Sequence, residues 1–348
     1  MTGDILEDAL IQLIDGNGNV IEEWISTSQP HEIVGLKTKE EYTIHEIVAP
    51  EGRILAPDST FTIEENGDVT GLVSEDDVVL LEDARTKVSI SKVDIADGEE
   101  IEGAHIQIIE KDKGGNETVV EEWDSTTEAH VIEGLKTGVE FIIRETTAPE
   151  GYLVTTDTTF TIDAYGNVTS TGTVSEEGVL LVEDARTAVR VLKTDIADGK
   201  ELAGAKIQII VKEGLFGKQR VVEEWISTKE AHLIEGLKVG VEYTLHETVA
   251  PDGYDIASDT TFTIDKYGKV TTTGHMTKDG ILLVEDTKTK KDDSGSGGSK
   301  KPSSSSTSTR KKSSSKTGDD SDAMMWLLIW LGAAGSLVYV TKKRRNSN

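Results

Sequence analysis

One block of sequence occurs three times and sets the scale of everything else. Tyr42-Thr-Ile44-His-Glu46-Ile-Val-Ala-Pro50-Glu-Gly52 returns as Phe141-Ile-Ile143-Arg-Glu145-Thr-Thr-Ala-Pro149-Glu-Gly151-Tyr152. It returns again as Tyr243-Thr-Leu245-His-Glu247-Thr-Val-Ala-Pro251-Asp-Gly253-Tyr254. The steps between the three glutamates are 99 and 102 residues. A period that long is a whole domain per repeat, not a turn of a solenoid. A string of near-identical modules suits reach and mechanical continuity better than a single catalytic cleft.

Inside each repeat, short β-branched runs alternate with Gly, Asp and Asn turns. In the second repeat Val88–Lys92, Ala104–Ile109, Thr118–Trp123, Ala129–Ile132, Val139–Ile143, Thr159–Ile162 and Val179–Val182 read as strands. Many short strands with little helical period indicate an all-β antiparallel sandwich. The chain of 348 residues then divides into three tandem sandwiches at 1–86, 87–187 and 188–289, each long enough to bury its own core. Aligning Ala9 with Ala104 leaves the first repeat without its first strand. A sandwich lacking that strand has a groove and an unpaired neighbour. Three such modules in line reach on the order of 100 Å.

Residues 290–322 are rich in Ser, Lys and Gly with no apolar period, the composition of a disordered linker. Residues 323–340 are uncharged and mostly apolar, and Lys342-Lys343-Arg344-Arg345 follow. A transmembrane helix over 323–341 and a basic cytoplasmic tail over 342–348 are expected, with the repeats outside the cell. No signal peptide precedes the repeats, which suggests an incomplete chain.

The formal charge is −28, but from Thr287 onward there are 13 Lys and Arg against 5 Asp and Glu. The acidic excess therefore lies in the repeats. An acidic body repels nucleic acid, so no polynucleotide partner is expected. There is no cysteine, which excludes thiol catalysis, disulfides and cysteine-based metal centres. His31, His130 and His232 recur at one position and His45 and His246 at another, without metal-ligand spacing. Asp15-Gly-Asn17-Gly-Asn19 has calcium-loop-like spacing but lacks the closing glutamate and reads as a hairpin turn. No metal or other cofactor is expected.

Strand alternation puts every second side chain on one face. Val88, Ile90 and Lys92 share a face, as do Phe141, Ile143 and Glu145, and Leu180, Val182 and Asp184. Each apolar row ends in a charge. The third repeat does the same at Lys193, Glu247 and Asp286. The first keeps Glu46 and Asp83 and lacks only a lysine. Two readings stay open on spacing alone. These are either ordinary charges where a strand meets solvent, or groups carried into an apolar interior. In the second case they must pair, neutralise or react, because an uncompensated buried charge is very costly. Desolvation favours a neutral amine, which is a nucleophile, and a neutral acid, which is an acyl acceptor. A third carboxyl can shuttle the proton. The product would be an amide joining Lys92 to Asp184 beside Glu145, and Lys193 to Asp286 beside Glu247. Glu183 and Glu285 are rival acyl positions that alternation points outward.

These residues also carry a resemblance. Asp83-Ala-Arg-Thr-Lys-Val-Ser-Ile-Ser-Lys92, followed by Val-Asp, resembles the junction of tandem Cna B-type (SpaA-like, prealbumin-like) domains of Gram-positive surface proteins. Tyr243-x-Leu-x-Glu247-Thr-x-Ala-Pro-x-Gly-Tyr254 is similar to the E-box of sortase-assembled pilins. The resemblance implies a small reverse-immunoglobulin, prealbumin-like sandwich in which isopeptide bonds form autocatalytically. It implies bond-forming roles for Lys92, Asp184, Lys193 and Asp286, and proton-shuttle roles for Glu145 and Glu247. Glu46 and Asp83 form an incomplete site. The tail resembles a cell-wall sorting signal whose motif is degenerate, reading Lys316-Thr317-Gly318 without the preceding Leu and Pro. Sortase and peptidoglycan are implied partners, with membrane retention as the alternative.

A structural stalk is the expected function, and the chain is not expected to be an enzyme on other molecules. The rival is a module that binds host matrix protein or glycan. The insert Gly214-Leu-Phe-Gly217 is its candidate loop, and Trp24, Trp123 and Trp225 are either core or sugar-stacking positions.

Overall fold

The protein is described here by a computed structural model covering residues 5–71, 78–214 and 217–290. Among these residues there is no α-helix, and every regular element is a strand.

The second repeat shows the architecture most fully. One sheet is antiparallel and runs in the order Val168–Ser170, Thr158–Ile162, Glu140–Thr147, His105–Lys111, Glu117–Asp124. The other runs Thr173–Val174, Leu180–Asp184, Lys87–Asp94, His130–Glu133. Each strand alternates buried and open positions, so the apolar rows of the two sheets meet. Val88, Ile90, Leu180 and Val182 from one sheet pack with Ile106, Ile108, Phe141 and Phe160 from the other. Phe141 stacks on Phe160 with ring centroids 5.2 Å apart. The third repeat has the same two sheets and an equivalent core.

The expectation of an antiparallel sandwich needs one correction. The first and last strands of a repeat, Lys87–Asp94 and Leu180–Asp184, are parallel neighbours. Ala188–Asp195 and Leu282–Asp286 are paired the same way. Parallel neighbours need a long connection, and the whole intervening repeat supplies it.

The first repeat has one five-stranded sheet, in the order Val20–Ile25, Leu10–Asp15, Glu41–Val48, Ser59–Ile63, Val69–Gly71. The second sheet is not formed among the described residues. In the other repeats the first strand sits between two neighbours and ladders both. Here residues 31–34 and 80–84, which correspond to those neighbours, have no regular strand structure.

Consecutive repeats are joined by the same hydrogen bonds. Thr86 N–H donates to the Gly52 carbonyl (3.0 Å), Gly134 N–H to the Thr86 carbonyl (3.0 Å), and Leu55 N–H to the Ala164 carbonyl (2.8 Å). At the next junction Thr187 N–H donates to Gly151 (2.8 Å), Gly236 N–H to Thr187 (3.0 Å) and Val154 N–H to Lys266 (3.0 Å). The turns Asp163–Asn167 and Asp265–Lys269 therefore close a hairpin and also dock on the preceding repeat.

Candidate functional site

The parallel pairing decides where the charges go. Lys92 lies beside Val182, whose side chain is in the core, so the lysine also points inward. Asp184 follows two residues later on the same face. Glu145 comes from the opposite sheet, where the register slips between Glu145 and Thr147. The same slip follows Glu46 and Glu247 in the other repeats. A bulge of this kind re-aims a side chain next to a site.

The three charged groups meet with no access to water. Lys92 Nζ touches Asp184 Oδ1 and lies 3.2 Å from Glu145 Oε1, and all three side chains are 0 % exposed. Lys193 Nζ donates to Asp286 Oδ1 and lies 3.1 Å from Glu247 Oε1, again at 0 % exposure. The second glutamate oxygen is held by backbone. Thr155 N–H donates to Glu145 Oε2 (2.8 Å) and Ala257 N–H to Glu247 Oε2 (2.6 Å). Each glutamate is thereby fixed with one oxygen aimed at the lysine. Burial pushes the Asp184 carboxyl up to about 7, against the opposing pull of Lys92. Burial raises Asp286 to about 6 for the same reason. A carboxyl raised this way takes up a proton more readily than a free one, and in the protonated form its carbon can accept a nucleophile.

In the first repeat Glu46 and Asp83 face one another without a lysine. Glu46 is 1 % exposed, and Ala56 N–H donates to its Oε2 at 2.7 Å. Burial, with a further push from the Asp83 charge, raises Glu46 to about 7. Asp83 is raised by burial and partly restored by Arg53.

Glu183 and Glu285 point away from the lysines. Glu183 accepts from Thr173 Oγ1 (2.6 Å), and Glu285 pairs with His275 Nδ1 (2.5 Å). Lys316, Thr317, Gly318 and the expected span 323–341 lie outside the described residues. Among the described residues no helix is long and apolar enough to cross a membrane. The Asp15 carboxylate accepts Asn17 N–H and Asn19 N–H (2.9 and 2.8 Å), closing a hairpin. Each repeat tryptophan packs against the core and stacks on a histidine, Trp24 on His31, Trp123 on His130 and Trp225 on His232, at 4.2–4.5 Å. A sugar would have to displace the histidine to reach the ring.

Sequence reasoning missed a second buried carboxylate in each complete repeat. Asp94, 1 % exposed, accepts from Tyr152 Oη (2.9 Å), Arg186 Nε (2.8 Å) and Ala96 N–H (2.8 Å). Asp195 accepts from Tyr254 Oη (3.0 Å) and Ala197 N–H (2.9 Å) and pairs with Lys288 Nζ (2.8 Å). The hydrogen bond from Lys288, with those from backbone and Tyr254, lowers Asp195 to about 2. This pin fastens the Gly-Tyr end of the recurring block to the lysine strand. Its signal was present, since Asp94 and Asp195 both follow their lysine by two residues and so share its face.

The family model described as the SpaA prealbumin-like fold domain matches residues 86–176 and 187–278. The chain belongs to this SpaA prealbumin-like family. Both matches stop before the strands that carry Asp184 and Asp286, and the first repeat is not matched. Among solved structures, the Bacillus anthracis TIE protein is similar at 22 % identity over 82 % of this chain, with a TM-score of 0.39. The chain spans 49 % of that protein's length. The pilus adhesin SpaC of Lactobacillus rhamnosus GG is similar at 14 % identity, over 83 % of this chain and 42 % of its own, with a TM-score of 0.33. The shaft pilin spaA of the same organism is similar at 15 % identity, over 59 % of this chain and 98 % of its own, with a TM-score of 0.24. A comparison with curated proteins found none significantly similar.

Proposed function

We propose that the chain is a cell-surface stalk of three sandwich modules, 1–86, 87–187 and 188–289, two of which close themselves with an internal amide. The observation that carries this reading is the lysine with two carboxyls at 0 % exposure, built twice with the same backbone anchor. Three ionisable groups in a dry core are costly as an ion cluster. As a neutral amine, a neutral acid and a proton carrier they react. Nζ of Lys92 attacks Cγ of Asp184, Glu145 moves the amine proton to the departing hydroxyl, and one water leaves. Lys193, Asp286 and Glu247 do the same. The site turns over once on itself, so the chain is a structural protein and not an enzyme acting on other molecules.

Membership in the prealbumin-like family and the likeness to pilins and a pilus adhesin fit a surface location. The tail supplies the attachment in this reading, by membrane retention or by sortase transfer to peptidoglycan at Lys316-Thr317-Gly318. The binding-module reading is weaker, because the recurring tryptophans are covered by their histidines.

Intact mass of the full chain tests the bonds. The expected value is two waters below the sequence mass, and Glu247→Ala should restore one. A mass equal to the sequence value would end the bond reading and leave the fold untouched.

A further inference from the structure

Asp94 stands two residues past Lys92, and Arg186 two residues past Asp184. Tyr152 stands three residues before Thr155, whose N–H holds Glu145. The three segments that bear the triad therefore each send one side chain to a second meeting point. There Asp94 Oδ2 accepts from Tyr152 Oη (2.9 Å) and Arg186 Nε (2.8 Å), and its Oδ1 accepts from Ala96 N–H (2.8 Å). The third repeat builds the same point from Asp195, Tyr254 and Lys288, at the same offsets from Lys193, Ala257 and Asp286. Both carboxylates are 1 % exposed, whereas the Arg186 and Lys288 side chains are 48 and 61 % exposed. Each cation closes over its carboxylate from the solvent side.

The strand pairing that brings the reacting groups together needs such a device. In the parallel pair Asp94 stands opposite Asp184, and Lys92 opposite Val182. A slip of two residues leaves every side chain on its own face, so alternation does not forbid it. It displaces Asp184 by about 7 Å relative to Lys92. The contact from Arg186 to Asp94 fixes the register two residues beyond the reacting pair. The contact from Tyr152 ties the loop that anchors Glu145 to the same point. Burial pushes the Asp94 carboxyl up, but the Ala96 amide, Arg186 and Tyr152 outweigh it and hold it below its ordinary value. The clasp therefore stays charged and closed under conditions in which Asp184 takes up a proton.

We propose that Asp94, Tyr152 and Arg186 are positioning residues for amide formation in the second repeat, and Asp195, Tyr254 and Lys288 for amide formation in the third. The clasp closes first, as a non-covalent contact. It holds the lysine strand, the aspartate strand and the glutamate loop in the one register in which Nζ meets Cγ. The two clasps share a tyrosine hydroxyl and a cation on one buried carboxylate, so the charge of the cation matters and the shape of its head group does not. This inference rests on the bond-forming reading of the two complete repeats.

The test follows water loss with time in the full chain made by cell-free synthesis, with samples quenched in acid and read by intact mass and peptide mapping. The third repeat is the clock inside each chain. Arg186→Met should slow amide formation in the second repeat at least about tenfold, the scale expected when reacting groups are misplaced by about an ångström, and leave the third repeat's rate as it was. Arg186→Lys should recover most of the lost rate, because Lys288 occupies the same place in the third repeat. Asp94→Ala should slow the second repeat at least as much as Arg186→Met. Hydrogen exchange in the core strand His105–Lys111 reports whether that repeat is folded. A loss of rate that only matches a loss of protection in this strand, with no recovery in Arg186→Lys, assigns the clasp to stability alone and overturns the proposal. Variants that form both amides at the parent's rate overturn it too and spare the bond-forming reading. A parent chain that loses no water overturns both.

Discussion

At Glu46 a carboxyl has been carried into the protein, and burial, with the nearby Asp83 charge, pushes it up to about 7. A carboxyl raised in the folded state holds its proton more tightly there than in the unfolded chain. Its contribution to stability is complete below the ordinary value near 4.5 and is lost as pH rises towards about 7. The first repeat should therefore melt at lower temperature at pH 8 than at pH 5, and Glu46→Gln should flatten the difference, followed by Trp24 fluorescence. Asp195 runs the other way. Its value of about 2 stabilises the fold above the unfolded value, and the gain is lost as pH falls from about 4 to about 2. At Lys92 the cost lies in removing one partner. Lys92→Met leaves Asp184 and Glu145 buried together and removes the amine that the proposed amide requires. It should destabilise the second repeat by about 3–5 kcal/mol in chemical denaturation, with the third repeat unaffected.

Among the elements, the junctions and the parallel strand pair do most to position the sites. Gly52 and Gly151 have φ of +77° and +87° and sit against the next repeat. A Cβ on Gly52 would lie 2.5 Å from the Gly134 carbonyl oxygen, and one on Gly151 would lie 2.9 Å from that of Gly236. Gly151→Ala should cost about 1–3 kcal/mol through strain and close approach. It should also raise hydrogen exchange at the Thr187 and Gly236 amides, which bridge the junction. The strands themselves were readable as alternating β-branched runs, and so were the rows ending in Lys92, Glu145 and Asp184. The junction was not. Pro149-Glu-Gly151 reads as a turn in one repeat, and nothing local says that Thr187 and Gly236 of the following segment close over it. The bulge after each glutamate was equally hidden, since a register slip depends on the partner strand.

For the whole molecule, the first and last strands of a repeat lie side by side and parallel, and the chain enters at one and leaves at the other. A pull on both ends shears all the hydrogen bonds of that pair together, and the lysine and aspartate stand across the sheared interface. An amide there would join residues 93 apart in sequence in the third repeat. By the cross-link entropy relation a loop of this size is stabilised by about 4–5 kcal/mol. The Glu145→Ala, Glu247→Ala double variant should lose that stabilisation in both repeats and melt at lower temperature. In force spectroscopy the parent should show no lengthening from the two closed loops. The double variant should release roughly 300 Å from each.

Period, alternation and charge placement are local properties, so the sequence alone determined the number of repeats, the all-β class and the candidate triads. Whether those charges meet solvent or one another was not a local question. Strand alternation orients a side chain but does not say which strand lies beside it. The parallel pairing of residues some ninety apart and the bulge on the facing sheet decided that Lys92, Glu145 and Asp184 share one dry space.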